Sequence, residues 1–171
     1  MDSSDYLKEL LALGVTIVWA APQLDGDGNW LPEIQDGDNV FSTGTWNGYN
    51  FPKWRDPETR TLHEVRNASH VDELMAREPR PAFLMLTGHV LDGIDIDTHA
   101  TPHTDQTDYA GNMRAAVTHP VARIKTPTGG EHLVVTSGGK HNESNLHSQV
   151  DYRGVGGLLA LPGTRRQING A

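Results

Sequence analysis

Polar and apolar side chains alternate along Leu91-Asp92-Gly93-Ile94-Asp95-Ile96-Asp97, a pattern that predicts a β-strand with two unlike faces. Because residues two apart on a strand share a face, Asp95 and Asp97 project together while Ile94 and Ile96 point to the core. Aspartate is disfavoured in strands, and two carboxylates about 6–7 Å apart along a strand repel each other unless a cation lies between them. The stretch therefore indicates either a site for a hard cation such as Mg²⁺ or the solvated face of an edge strand.

Apolar runs separated by turn residues surround this strand. A first helix starts at Ser3 or Ser4, which can cap it, and ends at Gly14. A second helix starts with the capping-box pattern of residues 69–72 and ends near Arg77. The remaining predicted elements are a helix at 104–119 and strands at 15–20, 83–87, 90–97, 121–125, 132–136, 150–153 and 158–161. We expect a long loop region with short pieces of structure at 22–60 and a polar loop at 137–148. This order predicts an α/β (α+β) chain with mixed or antiparallel sheets rather than a regular βαβ series.

Length and composition narrow the class of protein. With 171 residues, the chain suits one domain or two small lobes that share a core. The absence of cysteine excludes disulfides, zinc–thiolate sites, iron–sulfur clusters and thiol nucleophiles. No 18-residue apolar stretch and no signal-peptide pattern occur, so we expect a cytoplasmic protein without a membrane span. The chain also lacks GxGxxG, Walker and GxSxG patterns, which argues against Rossmann, P-loop and serine-nucleophile chemistry.

Charge is distributed unevenly along the chain. The formal net charge of −8 argues against a protein coated for non-specific binding of nucleic acid. Residues 1–118 carry 8 basic and 19 acidic side chains, whereas residues 119–171 carry 6 basic and 3 acidic ones. The second segment is therefore a candidate basic rim for an anionic ligand, the alternative being a chance cluster of exposed Lys and Arg.

Two further segments carry residue types suited to phosphate. Residues 126–132 read Thr-Pro-Thr-Gly-Gly-Glu-His, in which glycine N–H groups can approach an anion and Lys125 adds a donor. His132 starts the outgoing strand, where it can contact a phosphate or a metal. Taken alone, this segment is more typical of an ordinary hairpin turn. In residues 151–154, Asp151 and Arg153 share a strand face, either as a metal ligand beside a phosphate-binding arginine or as a surface ion pair.

Other polar residues receive no role from their spacing. Asp92 has odd spacing from Asp95 and Asp97, so it is left out of the candidate site. The remaining histidines are scattered through polar segments and are expected on the surface: His63, His70, His89, His99, His103, His119, His141 and His147.

Taken in chain order, three motifs resemble the N-terminal prim-pol domain of bifunctional DNA primase/polymerases encoded by phages and plasmids, within the archaeo-eukaryotic primase superfamily. They are Asp-x-Asp at the end of the strand 91–97, Thr-Pro-Thr-Gly-Gly-x-His at 126–132, and Asp-Tyr-Arg-Gly-x-Gly-Gly at 151–157 followed by Leu-Pro-Gly. Upstream, Gly14 before an apolar strand, Phe-Pro-Lys-Trp at 51–54 and the segment 81–88 are similar to segments of that family. The resemblance extends over nearly the whole chain, with residues 22–60 departing from it.

The resemblance implies a fold and a set of site residues. The fold would be the two-lobed archaeo-eukaryotic primase fold, an α/β lobe packed against an RRM-like lobe with the active site in the cleft between them. Asp95, Asp97 and Asp151 would hold two divalent ions, and His132 would contact the phosphates of the incoming nucleotide. The residues that would bind the triphosphate are Lys125, Thr128, Gly129, Gly130 and Arg153.

The implied activity is template-dependent DNA synthesis by nucleotidyl transfer to a primer 3′-hydroxyl in phage or plasmid replication, with dNTP or NTP substrates and Mg²⁺ or Mn²⁺. Residues 1–171 would form a single catalytic domain, expected to be the N-terminal part of a longer replication protein that can include a helicase. Two alternatives stay open. One is a non-catalytic nucleic-acid-binding replication module, and the other is a metal-dependent phosphohydrolase or nuclease that uses the same carboxylates to activate water.

Overall fold

The structure of the chain is a computed structural model that describes residues 1–31, 45–46, 48–97, 108–126, 129–147 and 149–164, with the backbone alone at 45–46 and 144–147. The chain divides into two compact units, one formed by Met1–Met85 with Ala160–Ala171 and the other by Leu86–Leu159. The helices of the described part are α1 (Ser3–Ala12), α2 (Pro57–His63), α3 (Ala68–Met75) and α4 (Tyr109–Ala116). The strands are β1 (Ile17–Pro22), β2 (Thr45–Trp46), β3 (Tyr49–Asn50), β4 (Ala82–Leu86), β5 (Leu91–Ile96), β6 (Ala122–Lys125), β7 (Glu131–Thr136), β8 (Glu143–His147), β9 (Val150–Arg153) and β10 (Leu158–Ala160).

Strands β4, β1, β3 and β2 of the first unit lie in this order in a five-stranded sheet, in which β10 is the edge strand beside β4. Strand β4 reads Ala-Phe-Leu-Met-Leu and is buried along its whole length, because apolar side chains on both faces suit a strand that is covered on both sides. Strand β1 pairs with it antiparallel, with Ile17 opposite Met85. Helices α1 and α3 contact each other, and Lys8 Nζ of α1 lies 2.6 Å from Asp72 Oδ1 of α3. Leu7 and Leu10 of α1 and Val71 and Leu74 of α3 are buried and belong to the core of this unit.

The N-termini of two helices differ from the sequence prediction. Helix α1 begins after Asp2, which makes no side-chain cap hydrogen bond, instead of being capped by one of the serines that follow it. Helix α3 begins after Asn67, whose Oδ1 accepts a hydrogen bond from the His70 N–H at 2.9 Å. Asn67 rather than Ser69 therefore caps α3, which agrees with the strong preference for asparagine at this position.

The second unit contains a five-stranded antiparallel sheet in the order β6-β7-β5-β9-β8. The predicted alternation of β5 is confirmed, because Ile94 and Ile96 pack with Ala110, Leu133 and Val150 in a buried cluster that α4 covers. Strand β5 lies at the centre of the sheet, which excludes the edge-strand interpretation of its aspartates. The two antiparallel sheets and their helices confirm the predicted α+β class.

Several elements were missed or shortened by the sequence prediction. Residues 22–60, expected as a long loop region with short pieces of structure, contain β2, β3 and the start of α2, whose positions the sequence did not give. Residues 137–148, expected as a polar loop, contain β8. Helix α2 has no buried residue and β8 has a polar sequence, so neither shows the apolar periodicity on which a prediction depends. The helix predicted at 104–119 is observed as α4, and residues 98–107 lie outside the described part of the chain.

The turn between β4 and β5 depends on Gly88. Its φ of 96° lies in the left-handed region, and a Cβ at this position would run into the backbone of Val155. The neighbouring Thr87 donates from its hydroxyl to the Gly154 carbonyl at 2.7 Å. This turn therefore packs against the segment that follows β9, and the close approach fixes the point at which β5 begins.

Candidate active site

Three neighbouring strands place Asp95, His132 and Asp151 side by side. In the antiparallel register, Asp95 of β5 lies opposite His132 of β7 on one side and opposite Asp151 of β9 on the other. Residues directly opposite each other share a face of the sheet, with Cβ atoms about 4.5–5.5 Å apart. The three side chains therefore form one row across the centre of the sheet, on the face opposite to the buried Ile94 and Ile96. We refer to them as the Asp95–His132–Asp151 row.

Arg153 adds a positive charge to this row. It follows Asp151 by two residues on β9, and its Nη2 lies 2.8 Å from Asp151 Oδ2 and 3.8 Å from Asp95 Oδ2. On the other side of Asp95, His132 Nε2 lies 3.4 Å from Asp95 Oδ1. The side chains of Arg153 and His132 are only 18% and 10% exposed, so water screens these contacts incompletely.

The environment of Asp95 keeps its carboxyl group ionised. Burial raises the pKa of Asp95, but the hydrogen bond from His132 and the charges of His132 and Arg153 outweigh burial and lower the pKa below its ordinary value of 3.8. At neutral pH the centre of the row therefore carries a negative charge beside the positive charge of Arg153.

Asp95 and Asp151 are two acidic groups placed opposite each other on adjacent strands. Two unit charges about 5 Å apart repel by about 3 kcal/mol at an effective dielectric constant of about 20, and like charges in such positions destabilise a sheet. Arg153 contacts both carboxylates and compensates this repulsion. The ion pair of Arg153 and Asp151 is therefore part of a three-residue cluster with Asp95 and not an isolated surface pair.

Asp97 lies one step beyond the row, directly after β5. Its spacing from Asp95 predicts that it shares the same face, and its side chain is exposed. The Asp97 N–H donates to the Gln149 carbonyl at 2.9 Å, which continues the pairing between β5 and the start of β9. The backbone at Asp97 is therefore held in line with β5 beside the row.

The predicted triphosphate-binding residues lie around the hairpin between β6 and β7. The turn is closed by the Thr126 N–H, which donates to the Gly130 carbonyl at 2.9 Å, and by the Gly129 N–H, which donates to the Thr126 carbonyl at 3.0 Å. A Cβ at Gly130 would lie 2.5 Å from the Ile96 carbonyl oxygen, so this glycine allows the turn to approach the end of β5. Thr128 lies outside the described residues.

Lys125 is not brought to the Asp95–His132–Asp151 row. In the register of β6 and β7, Ile124 lies opposite His132, whereas Lys125 lies opposite Glu131. The register therefore assigns the exposed Lys125 to the other face of the sheet. Of the basic residues predicted for the site, Arg153 is the one that the structure places against the carboxylates.

Asp92 has a structural role, and its hydrogen-bond partners could not be predicted from its spacing. It is fully buried on the Ile94 side of β5, where it accepts hydrogen bonds from the Tyr152 hydroxyl at 2.6 Å and from the Gly88 N–H at 2.8 Å. Burial and this hydrogen bond raise the pKa of Tyr152 to about 12. Lys140 Nζ lies 4.9 Å from the centre of the Tyr152 ring. The odd spacing of Asp92 from Asp95 was the available signal, because it assigns Asp92 to the opposite face.

The donor chemistry of the row fits a hard divalent cation. Carboxylate oxygens are the ligands that Mg²⁺ and Mn²⁺ prefer, and Asp95 and Asp151 offer them from adjacent strands. His132 Nδ1 is buried and has no hydrogen-bond partner within the described part of the chain, so the imidazole is not committed elsewhere there. No group of three His, Asp or Glu side chains converges as a metal site among these residues, and Arg153 lies against both carboxylates. Asp95 and Asp151, with Asp97 beside them, are the residues that would hold the ions.

Comparison with protein families identifies the class of the protein. Residues 39–171 match the Prim-Pol family, described as the N-terminal domain of bifunctional DNA primase/polymerases. The chain belongs to the Prim-Pol family. The match includes β5, β7 and β9, and therefore every residue of the Asp95–His132–Asp151 row, whereas α1 and β1 precede it. No curated protein matches the chain.

Membership of the Prim-Pol family assigns the domain to the DNA primase/polymerases, which are nucleotidyltransferases of DNA replication that act on DNA and nucleotides. Family members typically depend on divalent metal ions, which agrees with the donor chemistry of the row. In the described part of this prim-pol domain, no helix is both long and apolar enough to cross a membrane.

Proposed function

We propose that this prim-pol domain extends a primer on a DNA template, using nucleoside triphosphates and Mg²⁺ or Mn²⁺ in the replication of a phage or plasmid. The observation that supports the proposal is the Asp95–His132–Asp151 row, which joins two carboxylates and an imidazole on one face of a central three-strand segment. Nucleotidyl transfer requires positioning and charge compensation of an in-line displacement more than covalent help from the protein. A rigid row on a sheet is suited to that task.

The side chains of the row have separable tasks in this proposal. Asp95 and Asp151, with Asp97 at the strand end, hold the divalent ions, which supply activation of the primer 3′-hydroxyl and charge compensation of the leaving pyrophosphate. His132 donates a hydrogen bond to a phosphate oxygen of the incoming nucleotide. Arg153 and the hairpin tip at Gly129 and Gly130 bind the triphosphate, the tip through backbone N–H groups.

A primer-extension assay with labelled dNTPs, a primer–template and Mn²⁺ tests the proposal. We expect Asp95→Asn and Asp151→Asn to lower the extension rate by about 10³-fold or more, because each removes a ligand charge worth several kcal/mol in the transition state. The control is Glu143→Gln, which neutralises an exposed carboxylate in the same sheet that pairs with Lys140 at 3.2 Å and should leave extension unchanged.

The products of the same assay separate the alternatives. Products longer than the primer that vanish in both aspartate variants support polymerisation. Products shorter than the primer indicate a nuclease, and a mobility shift without any change of length indicates a binding module. Extension at the wild-type rate by the Asp95→Asn variant would falsify the assignment of the site.

A further inference from the structure

Arg153 occupies a position between two acidic side chains that the proposed function assigns to divalent ions. Its guanidinium lies 2.8 Å from Asp151 Oδ2 and 3.8 Å from Asp95 Oδ2, through the same Nη2 nitrogen. A single nitrogen of the guanidinium group therefore contacts both carboxylates. Because the two carboxylates come from directly opposite positions on β5 and β9, some positive charge is required between them whenever they are ionised.

Among the described residues, Arg153 lies within 4 Å of both carboxylates, on the Asp151 side of the row. His132 approaches Asp95 through the other carboxylate oxygen, Oδ1, from β7. Lys125 belongs to the opposite face in the register of the sheet. Arg114 of α4 and Arg123 of β6 both pair with Glu131.

We infer that Arg153 is an internal counter-cation of the metal site, which holds Asp95 and Asp151 together before a divalent ion binds and is displaced when the ion arrives. This inference rests on the proposed function, since it concerns the same site, and it adds a role that precedes nucleotide binding. Guanidinium and divalent ion compete for the same carboxylate oxygens, so each weakens the binding of the other. The exchange needs no oxidant, proton donor or further ligand.

If Arg153 helped to hold the metal ion, its removal would weaken metal binding. The inference predicts the opposite, that removal of Arg153 strengthens metal binding. Removal of Arg153 takes away the competitor and leaves two adjacent carboxylates uncompensated. Arg153→Gln should therefore bind Mn²⁺ more tightly than wild type in the absence of nucleotide, by about tenfold for one unit of charge at this distance. It should also unfold at a lower temperature in EDTA and gain more thermal stability from Mn²⁺ than wild type does.

Mn²⁺ titration followed by electron paramagnetic resonance of the free ion measures this affinity directly, without nucleotide or DNA. Arg123→Gln is the matched control, because it removes one positive charge from the same sheet away from the row and should change the affinity little. If Arg153 only binds the triphosphate, Arg153→Gln will weaken dNTP binding and leave Mn²⁺ affinity unchanged, which overturns the inference.

A second measurement uses the wild-type protein and does not depend on the folding of a variant. In ¹⁵N-labelled protein, the guanidinium signal of Arg153, assigned with Arg153→Lys, should shift on titration with Mg²⁺ while that of Arg114 stays in place. A stationary Arg153 signal at saturating Mg²⁺ overturns the inference. Failure of the proposed function can be told apart from failure of this inference. If the row is not a metal site, Mn²⁺ will bind the Asp95→Asn variant as tightly as it binds wild type.

Discussion

Asp92 and Asp95 are two aspartates three residues apart on one strand, and they have opposite environments. Asp92 is fully buried, and its carboxylate is satisfied by the Tyr152 hydroxyl and the Gly88 N–H. Asp95 lies on the other face, where His132 and Arg153 approach it and water reaches part of its side chain. The first carboxylate therefore ties β5 to β9 and to the preceding turn, while the second is available to a ligand.

The bond between Tyr152 and Asp92 should be a measurable part of stability. We expect Tyr152→Phe to lower the free energy of unfolding by about 1–3 kcal/mol, because it removes a donor from a buried carboxylate. Tyr6→Phe is the matched control, since the Tyr6 hydroxyl is buried without a hydrogen-bond partner among the described residues. That variant should be neutral or slightly stabilising. Urea unfolding of both proteins measures the difference, and equal effects would contradict the role of Asp92.

The sequence predicted the face and burial of a residue well where the alternation within one strand was enough to assign them. Asp95 and Asp97 follow from alternation along β5, and so does the burial of Ile94 and Ile96. The contact of Arg153 with Asp95 could not be predicted in the same way, because it depends on which strands are neighbours and on their register. His70, expected on the surface, is buried because α3 turns it toward the core of its unit.

At the scale of elements, the start of α3 contains a histidine that should respond to pH. His70 is buried, and its Nδ1 accepts a hydrogen bond from the Arg66 N–H at 3.1 Å, which requires the neutral ring. Burial, followed by the charge of Arg66, lowers the pKa of His70 below its ordinary value of 6.5. Because the unfolded chain then binds a proton more readily than the folded one, stability must fall as the pH drops below about 6.5 toward the lower folded value.

We therefore expect wild type to lose stability between pH 7.5 and pH 5.5 relative to His70→Gln, which cannot titrate. The measurement is the urea-unfolding midpoint of each protein at both pH values. His119→Gln, which changes an exposed histidine, should keep the pH dependence of wild type. Parallel pH profiles for wild type and His70→Gln would show that His70 does not contribute.

The hairpin between β6 and β7 should be sensitive to one added methyl group. Gly130→Ala places a Cβ against the Ile96 carbonyl, so either the turn or the end of β5 must move, at a cost of about 1–3 kcal/mol. Gly138→Ala is the control, because a Cβ there meets nothing within 4 Å and its backbone conformation is ordinary. Thermal unfolding compares the two variants, and a stable Gly130→Ala protein would refute the close approach.

The positions of short elements were what the sequence could not give at this scale. Helix α2 has seven residues and buries none of them, so no apolar stripe marks it in the sequence. Strand β8 reads Glu-Ser-Asn-Leu-His and forms because β9 offers it a pairing edge. Strands β4, β5 and β7 were predicted close to their observed positions because each contains an apolar run that only burial explains.

At the scale of the whole molecule, the negative net charge of the chain opposes the binding of DNA. The formal net charge is −8, and DNA is itself a polyanion. If divalent ions at the row contribute to binding, affinity for a primer–template should rise severalfold when EDTA is replaced by Mg²⁺ or Mn²⁺ at constant ionic strength. Fluorescence anisotropy measures this affinity, and Asp95→Asn should lose the increase. The same affinity in EDTA and in Mn²⁺ would show that the ions do not contribute.

The α+β class could be predicted from the order of apolar runs, but the order of strands in each sheet could not. Strand β5 lies between β7 and β9, which come later in the chain, so the row is assembled from residues 95, 132 and 151. The expectation of a site in a cleft between two lobes stays a prediction, since the row itself belongs to a single unit.

The two-sided character of β5 limits how its gene can change. Insertion or deletion of a single codon within this strand would exchange its faces from that point on, turning isoleucines outward and a charged aspartate into the apolar cluster. Gly88 lies close to the backbone of Val155 at one end of the strand. This contact opposes a shift of β5 along its neighbours that would compensate for the inserted or deleted residue. Length variation among descendants of this protein should therefore be excluded from β5, even where point substitutions are accepted.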